Sequence, residues 1–589
     1  MRTISADEHD SLIPSLEAVM ATQLTRAATH PHDGPRGRRD SANLSIGQYL
    51  IRRLIDYGIR DCFGIPGDYV LAFYSELERS PINVIGCTRE DCAGFAADGY
   101  ARLSGMGAVC ITYCVGGLSV CNSIAGAYAE KSPVVVISGA PGISERHKGT
   151  LLHHQVRDYR TQLSVFEHFT IAATELTNPL TAFAEIDRVL DACDRFKRPV
   201  YIELPRDMVG VVPPVAHPYR GWPTPPSMSA THEAVQETVT KLQAAKNPVI
   251  IAGVEIHRFG LQDELVSFAE QTGIPISATI LGKSVISERH PLYIGLYQGE
   301  MGNPDVTRFV EESDLILMLG TFLTDINLGI FSANLDPNKC ILVTSEQLRI
   351  SHHHYHDVPL PDFLRGLRDA KPNVAPRDIP TALSKVQRRN TEITIDPQAA
   401  LRTSRMMLIL NQFLDEDTIV IADVGDALFA ATELLISDRG EFLSPAYYTS
   451  MGFSIPAALG AATARPDHRI VVIVGDGAFQ MTGQELSSLV RGNHSPIIIV
   501  LDNHGYGTER FLHAGTWKYN EIHPWSHTKL LEAYGGGVGT VVETEEAFET
   551  ALRAAWSDAN HTHLIQAKLA EGDASDTLLK LAARMGKTV

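Results

Sequence analysis

Residues 469–510 carry the pattern that most restricts the fold. Two apolar, β-branched runs, 470–474 and 497–501, flank a helical segment at 483–491 with Leu486, Leu489 and Val490 on one face. Runs of this kind suit strands buried on both faces of a parallel sheet. A right-handed strand–helix–strand unit sends both strand ends to the same sheet edge, where ligands of open α/β sheets bind. The first strand ends in Gly475-Asp476-Gly477 and the second in Asp502-Asn503-His504-Gly505.

Gly475 and Gly477 allow close backbone approach to a ligand. Asp476 offers a carboxylate oxygen, Asn503 an amide oxygen and Gly505 a backbone carbonyl. Together they make the partial oxygen shell that Mg²⁺ takes when phosphate oxygens and water complete it. A metal-bound diphosphate is the ligand this implies. By itself Gly-Asp-Gly equally fits an ordinary strand–turn–helix with Asp as the cap.

A chain of 589 residues is too long for one core, and three or four domains are expected. The net charge of −18 argues against nucleic acid or an anionic membrane as partner. No apolar run is long enough to span a bilayer. Eight cysteines without a C-x-x-C pair read as reduced thiols of a cytoplasmic protein. Residues 1–40 lack apolar periodicity and read as a mobile N-terminal extension, with acids that argue against a transit peptide.

The first domain is expected over 41–214, where helical and β-branched runs alternate. Its three polar constellations have plain local readings. Asp68, in Gly64-Ile65-Pro66-Gly67-Asp68, suits a turn or helix cap. Glu90 suits the first turn of a helix, and the pair His153-His154 suits a surface. A Pro-rich bridge leads to a middle domain at 232–357, another parallel α/β unit. It has no Gly-x-Gly-x-x-Gly, so no dinucleotide is expected. His352, His353, His354 and His356 read as a surface cluster rather than a metal site. A linker at 358–397 precedes the third domain, 398–589, which ends in a helix. This domain contains Gly425-Asp426 at a strand end and the segment Tyr447-Tyr448-Thr449-Ser450-Met451-Gly452.

The spacing of Gly-Asp-Gly and the following Asn, with FGIPGDY, TREDCAGFAADGYAR, GGLSVCNSIAGAYAE and LLHH, resembles the thiamine diphosphate (ThDP)-dependent 2-oxo acid decarboxylases of the pyruvate/indolepyruvate decarboxylase family. The resemblance runs from about residue 44 to the C-terminal helix. It implies an α/β fold of three parallel-sheet domains: pyrimidine-binding, middle and diphosphate-binding. It implies ThDP and Mg²⁺ as cofactors, with Asp476, Asn503 and Gly505 as metal ligands. Gly425, Asp426, Gly475, Gly477, Ala478 and Tyr506 would join them around the cofactor. Met451 would be the wedge beneath it, and the Thr449 carbonyl would hold the pyrimidine amino group. Glu90 would hydrogen-bond the pyrimidine ring, while Asp68, His153, His154 and Glu509 would handle protons around the substrate.

The activity implied is that of a carboxy-lyase: a small-molecule 2-oxo acid loses CO₂ through an enamine formed on the cofactor and leaves as an aldehyde. Tyr297, Val424, Leu428, Thr508, Leu512 and Leu581 are expected to shape the substrate pocket. Leu428 and Leu581 stand where pyruvate-specialised bacterial members carry tryptophan, and Val424 replaces a threonine. The larger pocket favours phenylpyruvate, indolepyruvate or branched-chain substrates over pyruvate. The family's shared sites imply a homodimer at minimum, with a homotetramer expected. The alternatives are a ThDP-dependent carboligase and a non-catalytic ThDP-binding paralogue. The paralogue is disfavoured because Glu90, Asp476 and Asn503 are all present.

Overall fold

A computed structural model describes residues 43–215, 217–218, 228–386, 393–437 and 440–585. The extension read at 1–40, and part of each Pro-rich connection, lie outside the described residues. Among the described residues the chain forms three sheets in sequence order.

The first sheet runs, edge to edge, through Asn83–Gly86, Asp61–Gly64, Gly107–Ile111, Val134–Ala140, Val200–Pro205 and Ala172–Glu175, all parallel. The third sheet repeats this order. It runs through Glu441–Leu443, Thr418–Ala422, Arg469–Gly475, Ile497–Asp502, His563–Lys568 and Val538–Val542, again all parallel. The central strands are buried along almost their whole length, which explains their continuous β-branched composition.

The middle sheet departs from the purely parallel unit expected. Cys340–Val343, Leu315–Leu319, Pro248–Ala252, Ile276–Ala278 and Tyr293–Leu296 are parallel. Leu348–Ile350 and His353–Tyr355 add an antiparallel edge. The cause is local. Thr344 N–H donates to the Gln347 carbonyl at 2.8 Å, a turn too tight for a parallel crossover. His352, His353, His354 and His356 are exposed on and around this edge, and His353 Nδ1 lies 3.0 Å from Glu237.

The segment read as a linker from 358 begins instead with the helix Leu360–Ala370. Its Leu360, Phe363, Leu364 and Leu367 are buried in the middle-domain core. Their helical spacing is the signal that identifies it.

The first and third domains share one core. Helix Glu90–Ser104 packs against helix Ser454–Ala464 through small residues. A Cβ on Gly460 would lie 2.0 Å from the Ala96 carbonyl oxygen, so the two backbones meet at a distance only glycine permits.

Candidate active site

The C-terminal ends of three adjacent strands of the third sheet bring the chemistry together. Arg469–Gly475 leads directly into the short helix Asp476–Thr482, so a helix already starts at the aspartate, ahead of the helical segment expected at 483–491. Ile497–Asp502 delivers Asn503 and Gly505, and Thr418–Ala422 delivers Val424, Gly425 and Asp426. Gly505 has φ +148°, and a Cβ there would meet the Asn520 carbonyl at 2.0 Å; only glycine fits.

Asp476 is 2% exposed. Its Oδ1 accepts the Gly477 N–H at 2.8 Å and its Oδ2 the Gly505 N–H at 3.1 Å. Burial, with the charge of Asp502 added, pushes its carboxyl up to about 6. Asn503 Oδ1 is buried without a hydrogen-bond partner. A carboxylate short of cations beside an orphaned amide oxygen is the donor set a hard divalent cation suits. A Cβ on Gly475 would meet nothing within 4 Å, so the strand end opens onto free space. These features fit Mg²⁺ carrying a diphosphate.

That space is a cleft of about 420 Å³. Gly425, Asp426, Met451, Gly475, Asp476, Gly477, Ala478, Asn503, Gly505 and Tyr506 line it, with Val424, Thr508 and Glu509. The Asp426 carboxylate is bonded to Ser575. Ser575 N–H donates to Asp426 at 3.0 Å, and burial pushes that carboxyl up to about 6. Asp426 therefore anchors the start of the C-terminal helix at the edge of the cleft.

Met451 reaches the cleft from a segment held by two buried acids that sequence reasoning passed over. Glu130 accepts the N–H groups of Tyr447 and Tyr448 at 2.8 and 2.9 Å. Asp423 accepts those of Gly452 and Ser454 at 3.1 and 2.9 Å. Thr449 lies between these anchors with φ +56°, an uncommon conformation for a β-branched residue that fixes its carbonyl direction. It is exposed and does not line the cleft. For Asp423 the available signal was an acid ending an otherwise apolar strand.

The first-domain candidates gather in two places, neither of which lines this cleft. Glu90 opens its helix, and its Oε1 would lie 3.5 Å from a Cβ on Gly116. Asp68, His153 and His154 cluster, with ligand-type atoms within 4.8 Å of one another. His153 Nε2 is 2.7 Å from Asp68 Oδ2, and Tyr69 OH is 3.3 Å from His153 Nδ1. His154 has φ +67°, and its Nδ1 is buried without a partner.

Four residues expected in the substrate pocket do not line the cleft. Tyr297 is buried in the middle-domain core and donates to Glu311 at 2.9 Å. Leu428 points into the core between sheet and helices. Leu581 packs with Met301, Phe429 and Leu578, behind the helix Gly507–Leu512 that carries Glu509. Leu512, the last residue of that helix, is half-buried outside the cleft lining. For Leu428, Leu512 and Leu581, side-chain direction on the helix turns them away from the cleft that Thr508 lines.

Comparison with known proteins gives three consecutive family matches. Residues 44–162 match the thiamine pyrophosphate enzyme N-terminal TPP binding domain, 235–365 its central domain, and 423–567 its C-terminal TPP binding domain. Among curated relatives, the indole-3-pyruvate decarboxylase of Azospirillum brasilense is 35% identical over 91% of this chain and 97% of its own length. Pyruvate decarboxylase isozyme 2 of Saccharomyces cerevisiae is 33% identical over 92% and 98%. Pyruvate decarboxylase 3 of Arabidopsis thaliana is 31% identical over 87% of each chain.

Proposed function

We propose, from the premise that this chain belongs to the thiamine pyrophosphate enzyme family and its 2-oxo acid decarboxylases, that it converts a bulky 2-oxo acid to an aldehyde and CO₂. The observation that carries this reading is the buried, unpartnered Asn503 Oδ1 beside the cation-poor Asp476 carboxylate, at the mouth of a cleft floored by backbone. Asp476, Asn503 and the Gly505 carbonyl would hold Mg²⁺, Gly425, Gly475, Gly477 and Ala478 would receive the diphosphate, and Met451 would support the rest of the cofactor. When bound, ThDP supplies the electron sink that accepts the pair released as the carboxylate departs.

Protons are the protein's task. Replacing a carboxylate by hydrogen consumes one proton per turnover, and the carbonyl oxygen must be protonated and deprotonated on the way. Asp68 and His153, joined at 2.7 Å, and His154 beside them make a relay suited to this. Glu509, exposed and lining the cleft, would face the substrate. Glu90 would hold the proton exchanged with the pyrimidine ring of the bound cofactor.

The cleft lining comes entirely from residues 424–509, without Glu90, Asp68, His153 or His154. This supports a site completed by a second copy of the chain, hence a homodimer at minimum, with a homotetramer proposed. Among the described residues no helix is long and apolar enough to cross a membrane. The eight unpaired cysteines suit a reducing cytoplasm.

Val424 leaves room at the cleft beside Thr508, so phenylpyruvate, indolepyruvate and branched-chain 2-oxo acids are the proposed substrates. Ranking them against pyruvate by kcat/KM tests this. The account expects an aromatic or branched acid to lead, and a lead for pyruvate refutes the substrate assignment. Acyloin in place of aldehyde among the products would make the protein a carboligase.

A further inference from the structure

Asp502 ends the strand that supplies Asn503, and it is 2% exposed. It is in register with Lys568 on the neighbouring strand His563–Lys568. Its Oδ2 accepts from Lys568 Nζ at 2.5 Å and from Gln566 Nε2 at 2.5 Å. Its carbonyl accepts the Leu569 N–H at 3.0 Å. His504 Nδ1 stands 3.4 Å from its Oδ1. Successive strand residues point to opposite faces. Asp502 thus turns its carboxylate toward Lys568, while Asn503 presents its unpartnered oxygen to the cleft.

Two carboxylates therefore stand at the ends of two paired strands next to Asn503: Gly475, before Asp476, is in register with Leu501, before Asp502. Asp476 faces the cleft, and among the described residues no lysine or arginine is bonded to it. Asp502 is buried and bonded by one. Since the field of a buried charge is poorly screened, the cation site is sensitive to whether Asp502 is compensated.

We propose that Asp502 and Lys568 form a charge-balanced positioning pair for the divalent-cation site. Gln566 and the Leu569 N–H pin the strand end from which Asn503 and Gly505 emerge. Lys568 offsets the Asp502 charge, so that Asp476 presents the main negative charge to the metal. This rests on the reading of Asp476, Asn503 and Gly505 as cation ligands.

The test is direct binding of Mn²⁺, read as loss of the free-ion electron paramagnetic resonance signal, to full-length protein stripped of metal and reloaded with ThDP. Asp502→Asn leaves Lys568 as an uncompensated positive charge, while an amide at 502 can still accept from Gln566. Mn²⁺ binding should weaken at least about tenfold, because an uncompensated positive charge repels a divalent ion through a poorly screening protein interior. Adding Lys568→Met removes that charge and should recover most of the loss. Lys568→Arg keeps the charge and should bind within about threefold of the parent.

If Asp502→Asn weakens Mn²⁺ by less than about threefold, or the double variant binds no more tightly than Asp502→Asn, the proposal is overturned. A tenfold change in Lys568→Arg overturns it too, and remains readable if Asp502→Asn does not fold. Unchanged Mn²⁺ binding in Asp476→Asn instead overturns the cation-site reading, and the proposal with it.

Discussion

His153 Nε2 lies 2.7 Å from Asp68 Oδ2, and Arg206 Nη1 approaches the same oxygen at 3.8 Å. Tyr69 stacks on the His153 ring with centroids 4.7 Å apart and donates to the His153 carbonyl at 3.2 Å. The histidine is thus held in one orientation toward the carboxylate, as a proton-transfer pair requires. Asp68→Asn and His153→Ala are each expected to lower kcat by roughly 10²–10³-fold, within the usual range for a positioned acid or base. Groups acting as one unit are not additive, so the double variant should fall little further than either single one. Steady-state kinetics check this. Losses that multiply would mean that the two residues act separately.

Glu90 is the first residue of its helix, and its carboxylate sits beside Gly116. As a helix-start acid it contributes only about 0.3–1 kcal/mol to stability. Glu90→Gln should therefore fold with an almost unchanged melting temperature yet lose at least about a hundredfold in turnover. Full activity in that variant would remove Glu90 from the reaction.

Glu203 is buried between Tyr201, whose hydroxyl donates to it at 2.5 Å, and Gln162. Burial pushes its carboxyl up to about 8, against 4.5 for the free group. Between those values the native protein holds a proton that the unfolded chain has released. The stabilisation is complete below about 4.5 and is lost as the pH rises through about 8. Glu203→Gln should gain stability relative to the parent across that window, by up to about 1.4 kcal/mol for each pH unit. Urea unfolding of the cofactor-free protein at pH 5, 6.5 and 8 measures it. Parallel pH profiles for the two proteins would contradict the assignment.

Gly460 meets the Ala96 carbonyl across the helix pair that joins the first and third domains. Gly460→Ala places a methyl where backbone must move, and should cost about 1–3 kcal/mol despite the better helix propensity of alanine. Thermal unfolding checks the sign. A more stable variant would show that the two helices can separate without penalty.

The strand-end motifs were the most legible part of the chain. Apolar runs bounded by Gly-Asp-Gly and Asp-Asn-His-Gly specify both the buried parallel strands and the edge at which Asp476 and Asn503 emerge. Asp68, Glu90 and His153 had unremarkable local readings, and only the motifs around them pointed further. The meeting of Asp68 and His153 depends on a contact between segments 85 positions apart in sequence. The helix Leu360–Ala370 was encoded in its apolar spacing but masked by the prolines around it. The antiparallel edge at 348–355 depends on a turn whose residues carry no strong signature. Leu428 and Leu581 show a different limit. Sequence position put them near the cofactor, but the helix face decides whether a side chain enters the cleft or the core behind it.

The central claim is that the third-sheet cleft holds ThDP through a divalent cation and that the chain then decarboxylates 2-oxo acids. The most direct measurement strips the protein with a chelator and follows CO₂ and aldehyde from phenylpyruvate as ThDP and Mg²⁺ are returned separately and together. The account predicts no product with either alone. With both, it predicts CO₂ and phenylacetaldehyde in equal amounts, and neither from Asp476→Asn under the same conditions. Equal turnover in the stripped protein, or undiminished turnover in Asp476→Asn, would contradict it.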